Sequence, residues 1–458
     1  MSSKPKVTAS LNGSSYLASS ITRSMTDNGH AAPCSNGSNG TKSPNDETTD
    51  DFIFNGGYYI SQPGARKLRA FQYSGMDLSL LYKHVLSPLA QHIVDHYTPR
   101  TLAPNSITLI GLSWMIVSYG LIWFYDGDAV PWWALAFNGA AMLIYQTLDN
   151  MDGKQARRTN SSSPMGCLFD HGCDSINVIF GIGGWHAALG LGSGDLRLRL
   201  ATSIVPMIPF YFTAWEQSFT HSLVLPIING PSEGLVLGAA LSFSSAFWGV
   251  EFWHKTTGWD ALAKLMPSVS SVEYLFHIIK EDVSVIRNCD LLVMVALLLA
   301  LREAIEKLYS VSRRFGLRTI VNTAPLIILC LGMCGVYFVA PFLLQRYPRT
   351  SLHVMGGMFV DMVVSLITDE LTHMQFNWFR SFVLGLGVVL ILALAPSCSD
   401  DFLERVWCGY NVLIWTYLGI KARIVIHEMC CILHIWCFDI VTPYSADTVC
   451  DPEKKKKH

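Results

Sequence analysis

Four aspartates lie within a short stretch of this chain, in two pairs. Asp149 and Asp152 are three residues apart, and Asp170 and Asp174 are four residues apart. Each spacing places two carboxylates on one face of a helix. If the two helix ends meet, the four carboxylates converge, and without counterions they would repel one another in a site of low dielectric constant. Divalent cations relieve that repulsion, and ligands that are all oxygen favour Mg²⁺ or Mn²⁺ over zinc.

The alternative interpretation is that the four acids are solvated and paired with the neighbouring bases Lys154, Arg157 and Arg158. Long apolar runs precede and follow the stretch, over residues 132–147 and 175–192. Acids at the ends of membrane segments are usually functional. The set as a whole therefore favours a metal site, although a single aspartate would not.

The residues between the two pairs indicate what such a site would bind. Gly153 follows Asp152 directly and removes a side chain where a ligand must approach closely. Ala156 is also small, and Arg157 offers a planar fork to phosphate oxygens. Two metal ions and an arginine are typical of phosphoryl transfer, in which the metals neutralise phosphate charge and hold the attacking and leaving oxygens in line.

The composition indicates where the site must lie. Of the 458 residues, 50% are hydrophobic and only 15% are charged, which is typical of a polytopic membrane protein and unlike a soluble enzyme. The 12 cysteines are scattered, mostly in apolar runs, so they are interpreted as reduced packing residues. The predicted fold class is therefore all-α, because helices satisfy their own backbone hydrogen bonds in lipid.

Ten segments of roughly 20 residues are apolar enough to span a bilayer. An amphipathic segment over residues 78–97 precedes them and is too mixed to span, so it is predicted to be a helix at the membrane interface. A helix packed on protein is an equally good interpretation of that segment. The ten spans are centred near residues 115, 140, 182, 207, 242, 297, 331, 360, 387 and 417.

The chain divides into five regions by composition and hydropathy. The first is rich in Ser, Asn, Gly and Thr and cannot bury enough apolar surface to order itself. The regions are a disordered tail (1–55), a segment with the interfacial helix (56–103), a catalytic core (104–235), additional membrane helices (236–440) and a basic tail (441–458).

The distribution of basic residues predicts the orientation. With ten spans, four basic regions fall on one side of the membrane, and the acidic loops near residues 127 and 400 fall on the other. The positive-inside rule then places both termini and the four aspartates in the cytosol. The basic regions are Arg66–Arg100, Lys154–Arg158, Arg313–Arg318 and the C-terminal "EKKKKH".

The spacing Asp149-x2-Asp152-Gly153-x2-Ala156-Arg157-x8-Gly166-x3-Asp170-x3-Asp174 resembles the signature of the CDP-alcohol phosphotransferases. The stretches "KQARRTNSSSP", "FDHGCDS", "APNSIT", "AWEQSFTHSLVLPIINGPSEG" and "VIHEM" resemble the choline/ethanolamine branch of eukaryotes, in particular the plant aminoalcohol phosphotransferases. The resemblance covers roughly residues 70–440.

The resemblance implies an activity and its partners. The enzyme would transfer phosphocholine or phosphoethanolamine from CDP-choline or CDP-ethanolamine to diacylglycerol, with two Mg²⁺ or Mn²⁺ ions, and release CMP. It implies a homodimer in the membrane of the endoplasmic reticulum or the Golgi, and no nucleic-acid partner. Lys455 and Lys456, at the fourth and third positions from the end, also resemble a dilysine retrieval signal.

Two other functions remain open at this stage. A relative with another acceptor, such as inositol, would share the signature, although such relatives are typically shorter. A transporter or channel with an acid-lined pathway would account for buried aspartates. It gives no reason for Gly153, Ala156, Arg157 and Gly166 at fixed offsets from them.

The identity of the general base is also open. The eukaryotic enzymes commonly have Glu where this chain has Cys167, and that Glu has been proposed to act with the histidine four residues on, here His171. Simpler relatives assign the base to the last aspartate, here Asp174. By intrinsic pKa a histidine is the better base of the two, because its range straddles neutral pH. Its alternative role is a hydrogen bond to Asp170.

Further residues are candidates for substrate contacts. With Gly153, Ala156, Arg157 and Gly166, Asn105 is predicted to lie beside the CDP-alcohol, although it could instead be a helix N-cap. An aromatic and acidic cage could hold the ammonium head group. Its candidate members are Tyr145, Glu216 and Glu233, with Trp215 as an alternative aromatic residue.

Overall fold

The protein is mostly helical, with one short pair of strands. The computed structural model describes residues 56–71, 74–125, 130–226, 230–265, 274–374, 376 and 381–444. The expected disordered tail, the dilysine tail and the acidic turn at residues 126–128 lie outside these ranges. The α-helices of the described residues are α1 Gln62–Ala70, α2 Ser87–His96, α3 Pro104–Phe124, α4 Trp132–Thr159, α5 Pro164–Ala188, α6 Leu196–Thr220, α7 Leu235–Trp248, α8 Glu251–His254, α9 Thr257–Leu265, α10 Asn288–Phe315, α11 Ala324–Val339, α12 Pro341–Arg346, α13 Pro348–Leu371, α14 Ser381–Leu394 and α15 Asp400–Leu433.

All ten centres predicted from hydropathy lie inside helices, namely α3 to α7, α10, α11 and α13 to α15. By length and apolarity, three helical stretches could each cross a membrane. They are Pro104–Phe124, Leu317–Val339, which joins a 3₁₀ turn to α11, and Pro348–Leu371; Phe382–Leu394 is apolar but shorter. The fold is therefore that of a helical integral membrane protein.

The turn between α4 and α5 is short and well defined. α4 ends at Asn160, which adopts the left-handed conformation with φ of 53°. α5 begins after Ser163, whose hydroxyl accepts a hydrogen bond from the backbone N–H of Gly166 at 3.1 Å, with Pro164 at the first helical position. These signals make a tight helical hairpin. α4 continues through the basic residues Lys154, Arg157 and Arg158 before it reaches this turn.

Helix α13 lies at the centre of the bundle. In the most apolar stretch of 18 residues of this helix, 83% of the residues are buried. The helix packs against α5, α6, α11 and α15. It runs antiparallel to α5, since Gly356 packs against Ile179 and Val364 against Gly172. One buried ion pair joins α13 to α15, in which Nζ of Lys421 lies 2.5 Å from Oδ1 of Asp361.

Two sets of contacts define the opposite ends of the bundle. At one end, the side-chain amide of Asn105, near the start of α3, donates to the carbonyl of Cys437, just beyond α15, at 2.8 Å. At the other, Arg349 at the start of α13 donates to the carbonyl of Trp123, near the end of α3. The α4–α5 turn lies at the same end of the bundle as Asn105, because α3 and α4 are antiparallel neighbours.

The segment before α3 packs along the Asn105 end of the bundle. A π-helical turn, Tyr82–Leu86, leads into α2, so residues 78–97 are helical for most of their length, as predicted. The strands β1 Gly75–Asp77 and β2 Leu223–Leu225 pair in parallel, a small departure from the all-α expectation. The chain before α1 is also held in place. The backbone N–H groups of Tyr58, Tyr59 and Ile60 donate hydrogen bonds to the carboxylate of Glu428, on α15.

Candidate active site

The α4–α5 hairpin brings the predicted aspartates together. Asp152 and Asp170 lie about two helical turns on either side of the connecting turn, and Asp149 and Asp174 lie one turn further from it. Ligand oxygens of Asp149, Asp170 and Asp174 all lie within 4.8 Å of one another. Asp152 interacts electrostatically with each of the other three. The convergence inferred from spacing alone is therefore present.

Two of these carboxylates have oxygens that the protein leaves unpaired. Oδ1 of Asp149 and Oδ1 of Asp170 are buried and have no hydrogen-bond partner within the described ranges. Buried polar atoms are normally satisfied, and anionic ones most of all. Several carboxylate oxygens that converge without protein donors are the ligand set that Mg²⁺ or Mn²⁺ prefers. The residues present thus fit a hard divalent cation.

The other two aspartates are held by hydroxyl groups. The Thr108 hydroxyl, on α3, donates to Oδ2 of Asp152, and both side chains are buried. The Tyr145 hydroxyl donates to Oδ1 of Asp174 at 2.5 Å. Hydrogen bonds of this kind orient metal-binding carboxylates and are often needed for metal affinity. Each still leaves one carboxylate oxygen for another ligand.

The neighbouring bases do not neutralise the aspartates, so the interpretation of four acids paired with basic neighbours is wrong. Nζ of Lys154 donates to the Ser87 hydroxyl at 2.8 Å. Arg158 donates to the carbonyls of Val94 and Thr98 and so joins α4 to the end of α2. Arg157 is exposed and has no hydrogen-bond or ion-pair partner within the described part of the chain.

The small residues leave room beside the carboxylates. A Cβ atom added to Gly153 would meet only the Arg157 guanidinium, at 3.6 Å. A Cβ at Gly166 would lie 3.5 Å from the Ser163 hydroxyl and 3.6 Å from Oδ1 of Asn105. Ala156 is half-buried on α4, between Gly153 and the end of the helix. Backbone surface along one side of the hairpin is thus accessible to a phosphate-bearing ligand, with Arg157 at its edge.

His171 lies between the two α5 aspartates and has a defined tautomer. Its Nδ1 lies 2.8 Å from the carbonyl oxygen of Cys167, which can only accept, so Nδ1 carries the proton. The Cys167 sulfur lies 3.5 Å from the same nitrogen. Within the described residues no hydrogen bond joins His171 to Asp170, so the alternative role considered for the ring is wrong. In the neutral ring Nε2 has a free lone pair.

Asn105 lies in this region but is already engaged. It is buried, with its amide nitrogen bonded to the Cys437 carbonyl and its oxygen near Gly166. The N-cap of α3 is Ala103, so the N-cap interpretation of Asn105 is wrong. Asn105 instead connects the start of α3, the start of α5 and the chain after α15.

The head-group candidates are not joined to one another by any hydrogen bond or ion pair in the described residues. Tyr145 is bound to Asp174. Glu216 lies 3.3 Å from Nζ of Lys307, in a half-buried cluster on α6 and α10. Glu233 accepts a hydrogen bond from Ser79, and Trp215 is fully buried with its indole directed at the Thr319 carbonyl.

Two residues near the site were missed by sequence reasoning. Thr108 is one turn beyond Asn105 on the same face of α3, a spacing that could have suggested it. Glu370 is about 200 residues from the hairpin, yet the register of α13 against α5 places it within about two helical turns of His171. Only the packing of α13 against α5 reveals it. A separate apolar cavity of about 650 Å³, which Trp185, Leu241 and Phe247 help to line, contains none of the four aspartates.

Comparison with known proteins agrees with this geometry. Residues 101–217 match the family model described as CDP-alcohol phosphatidyltransferase. Choline/ethanolaminephosphotransferase 1 of Arabidopsis thaliana is 32% identical over 400 residues, which cover 83% of this chain and 98% of the relative. The chain belongs to the CDP-alcohol phosphatidyltransferase family. It is therefore a transferase, and the matched region contains all four aspartates, Thr108 and the hairpin.

Other members of the CDP-alcohol phosphatidyltransferase family show a similar relation. Choline/ethanolaminephosphotransferase 2 of Arabidopsis thaliana is 31% identical over 396 residues, again 83% of this chain and 98% of the relative. Choline/ethanolaminephosphotransferase 1 of Saccharomyces cerevisiae is 29% identical over 244 residues, covering 51% of this chain and 61% of the relative. The likeness to the plant proteins extends well beyond the family region, since it covers 83% of this chain.

Proposed function

We propose that this protein transfers phosphocholine or phosphoethanolamine from CDP-choline or CDP-ethanolamine to diacylglycerol, forming phosphatidylcholine or phosphatidylethanolamine and CMP. The observation that carries the proposal is the set of four converging aspartates, two with unpaired buried oxygens, in a chain similar over most of its length to proteins named choline/ethanolaminephosphotransferase. The same similarity favours the reaction between a CDP-aminoalcohol and diacylglycerol over a reaction in which inositol is the acceptor. A transporter has no need of the glycines and arginine beside the acids.

The residues fit two Mg²⁺ or Mn²⁺ ions, held by Asp149, Asp152, Asp170 and Asp174. When bound, such ions supply charge neutralisation to the diphosphate of the donor. Thr108 and Tyr145 hold two of the carboxylates in position. The missing side chains at Gly153 and Gly166 leave space for the donor to approach the helix backbone.

The roles of the remaining residues follow from their positions. The Arg157 guanidinium, exposed at the edge of the hairpin, binds phosphate oxygens with its fork. Asn105 and Ala156 shape the donor site from α3 and α4. His171, with Nδ1 held by the Cys167 carbonyl, accepts the proton of the lipid hydroxyl at Nε2. Asp174 is the alternative base, although Tyr145 already occupies one of its oxygens.

The proposed head-group contacts are Tyr145, Glu216 and Glu233. Glu216 is on α6, Glu233 is in the turn just before α7, and Tyr145 is on α4. The positive charge of Lys307, paired with Glu216, would weaken the attraction between Glu216 and an ammonium group. An aromatic ring without a charged partner keeps its attraction for such a group. Tyr145 supplies the aromatic ring that such a cage needs, but the ring is 1% exposed and packs among buried apolar residues, so a head group reaches it only if these residues move.

The membrane arrangement is also a proposal. The ten predicted centres that lie in helices support ten spans, with the segment over residues 78–97 at the interface. Loop charge supports cytosolic termini and a cytosolic active site, and the C-terminal lysines support the endoplasmic reticulum. A homodimer is proposed from the family resemblance.

The proposal is tested by release of CMP from the purified protein in mixed micelles. We expect release that requires Mg²⁺ or Mn²⁺, diacylglycerol and a CDP-aminoalcohol. CDP-choline and CDP-ethanolamine are compared at fixed diacylglycerol. CDP-diacylglycerol with inositol is the control pair, because a branch with an inositol acceptor transfers a phosphatidyl group. Release with inositol but not with diacylglycerol would assign the protein to another branch of the family, and no release with any acceptor would exclude a transferase of this kind.

A further inference from the structure

Glu370, in the last turn of α13, is a buried acid with half of its carboxylate unused. The residue is 5% exposed. Its Oε2 accepts a hydrogen bond from Nε2 of Gln217 at 3.1 Å, whereas Oε1 is buried and has no partner in the described residues. A buried acceptor without a donor is costly, and more so when it is charged. Oε1 of Glu370 is therefore a buried acceptor that a donor from a bound ligand would satisfy.

The other buried acid of α13 shows the contrast. Asp361 is paired with Lys421, whose Nζ lies 2.5 Å away and also donates to Ser365. Within the described ranges no lysine or arginine lies within 4.0 Å of the Glu370 carboxylate. The protein itself thus satisfies Asp361 but leaves one oxygen of Glu370 for an external group.

The packing of α13 against α5 places this oxygen beside the candidate active site. Gly356 packs against Ile179, and Val364 lies 3.9 Å from the Cβ position of Gly172. In an antiparallel pair the same register places Glu370 near the level of Cys167, one turn from His171. Consistent with this position, the Glu370 carboxyl interacts electrostatically with His171.

The chemistry of the substrates decides which of them Glu370 would bind. The donor carries O–H and N–H groups on its cytidine, but its diphosphate is repelled by a carboxylate. Phosphocholine ends in a trimethylammonium group, which has no N–H to donate, whereas phosphoethanolamine has one and is the competing ligand. Diacylglycerol has a single hydrogen-bond donor, its hydroxyl, and otherwise only ester groups and chains. The side chains next to Glu370 on α13, Ile367 and Leu371, are apolar and buried.

We propose that Glu370 binds the acceptor: the hydroxyl of diacylglycerol donates its hydrogen bond to Oε1, while Gln217 holds the carboxylate in place. The inference rests on the proposed function and deepens it, because it identifies the acceptor end of the site. It assigns the acceptor to α13 and the donor to the α4–α5 hairpin. The register of α13 against α5 would place that hydroxyl within about one helical turn of His171. Because the hydroxyl has a single proton, it leaves Oε1 before it gives that proton to the base.

The test is a pair of substitutions at Glu370. Glu370→Met removes the acceptor atoms with little change of volume, and Glu370→Gln keeps the shape but loses the charge. Both are assayed for CMP release in mixed micelles, with diacylglycerol varied at saturating CDP-choline and then CDP-choline varied at saturating diacylglycerol. Glu404→Gln is the matched control, since Glu404 is an acid already paired, with Arg346, on another helix. Thermal unfolding of each variant checks its folding.

We expect the KM for diacylglycerol to rise about 10- to 100-fold in Glu370→Met and less in Glu370→Gln, as for loss of a hydrogen bond to a charged group. The KM for CDP-choline should stay near that of the wild type, and Glu404→Gln should change neither. An active wild type with an unchanged KM for diacylglycerol in both variants would overturn this inference alone. The KM for CDP-ethanolamine is measured in the same way. A rise confined to that KM would also overturn the inference, because it would indicate that Glu370 contacts the amino head group. An inactive wild type would instead refute the proposed function.

Discussion

The hydroxyl of Tyr145 donates a 2.5 Å hydrogen bond to Oδ1 of Asp174, and this bond joins the apolar part of α4 to the acidic part of α5. Tyr145 is 1% exposed. The tyrosine therefore fixes the position of the Asp174 carboxylate, one oxygen of which lies within 4.8 Å of oxygens of Asp149 and Asp170. A residue suggested by sequence as a head-group contact is thus hydrogen-bonded to one of the four aspartates.

Tyr145→Phe should weaken metal binding while the protein stays folded. Loss of a hydrogen bond that orients a metal ligand typically costs 10- to 100-fold in affinity or activity. The measurement is the Mg²⁺ concentration that gives half-maximal CMP release, which we expect to rise by about that factor. Tyr211→Phe is the control, because Tyr211 is also buried but donates to the Asn322 carbonyl. An unchanged Mg²⁺ requirement would contradict the orienting role.

Asp149→Asn and Asp170→Asn should each abolish turnover at any practical Mg²⁺ concentration. Each removes a charge from a carboxylate with an unpaired buried oxygen, and the lost charge stabilisation is on the order of several kcal/mol. CMP release is the first measurement. Asp400→Asn, at the exposed start of α15, is the control and should behave as wild type.

The same two variants make a prediction that does not depend on activity. Mg²⁺ should raise the Tm of the wild-type protein, since a ligand that binds only the folded state stabilises it. The rise should be much smaller in both variants. Without Mg²⁺ the variants should be at least as stable as the wild type, because repulsion among the carboxylates falls. Near-normal turnover in either one would refute the two-metal assignment.

Cys167→Glu should raise kcat. The Cys167 sulfur lies 3.5 Å from Nδ1 of His171, so a carboxylate at this position can bind and orient the ring. If His171 is the base, His171→Ala should cost about 10²- to 10⁴-fold in the Cys167→Glu protein and less in the native one. The measurement is the plateau of kcat against pH. Should His171→Ala be silent in both backgrounds, the base is Asp174 or a metal-bound hydroxide.

Lys421→Met should destabilise the protein strongly. It leaves Asp361 buried without its partner, and breaking a buried ion pair in this way costs about 3–5 kcal/mol. The double substitution Lys421→Met with Asp361→Leu should recover most of that loss, because no charge is then left unpaired. Thermal unfolding in detergent measures both. Equal stability of the single and double variants would mean that water reaches the pair.

Tags at Ser2 and after His458 should both be accessible to reagents confined to the cytosol. A tag inserted at Gly127 should be protected, since loop charge places it on the opposite face. The measurement is labelling in sealed microsomes, before and after permeabilisation. Protection of only one terminus would mean an odd number of spans.

The sequence by itself determined that the four aspartates converge, because the hairpin that joins them is local. Asp149, Asp152, Asp170 and Asp174 lie within 26 residues, and helical periodicity with one tight turn is enough to bring them together. Hydropathy likewise located the helices, since the bilayer imposes their length and apolar character. Local signals did not show that α4 continues through Arg157 and Arg158, because those residues are polar.

Only the tertiary structure decided which groups surround those aspartates. Spacing cannot reveal that Thr108 binds Asp152, that Asn105 is engaged by Cys437, or that Lys307 lies beside Glu216. Glu370 reaches the site only because α13, distant in sequence, packs antiparallel to α5. Periodicity records which face of a helix is apolar, but not which helix covers it, and contacts between distant segments depend on how all the helices pack together.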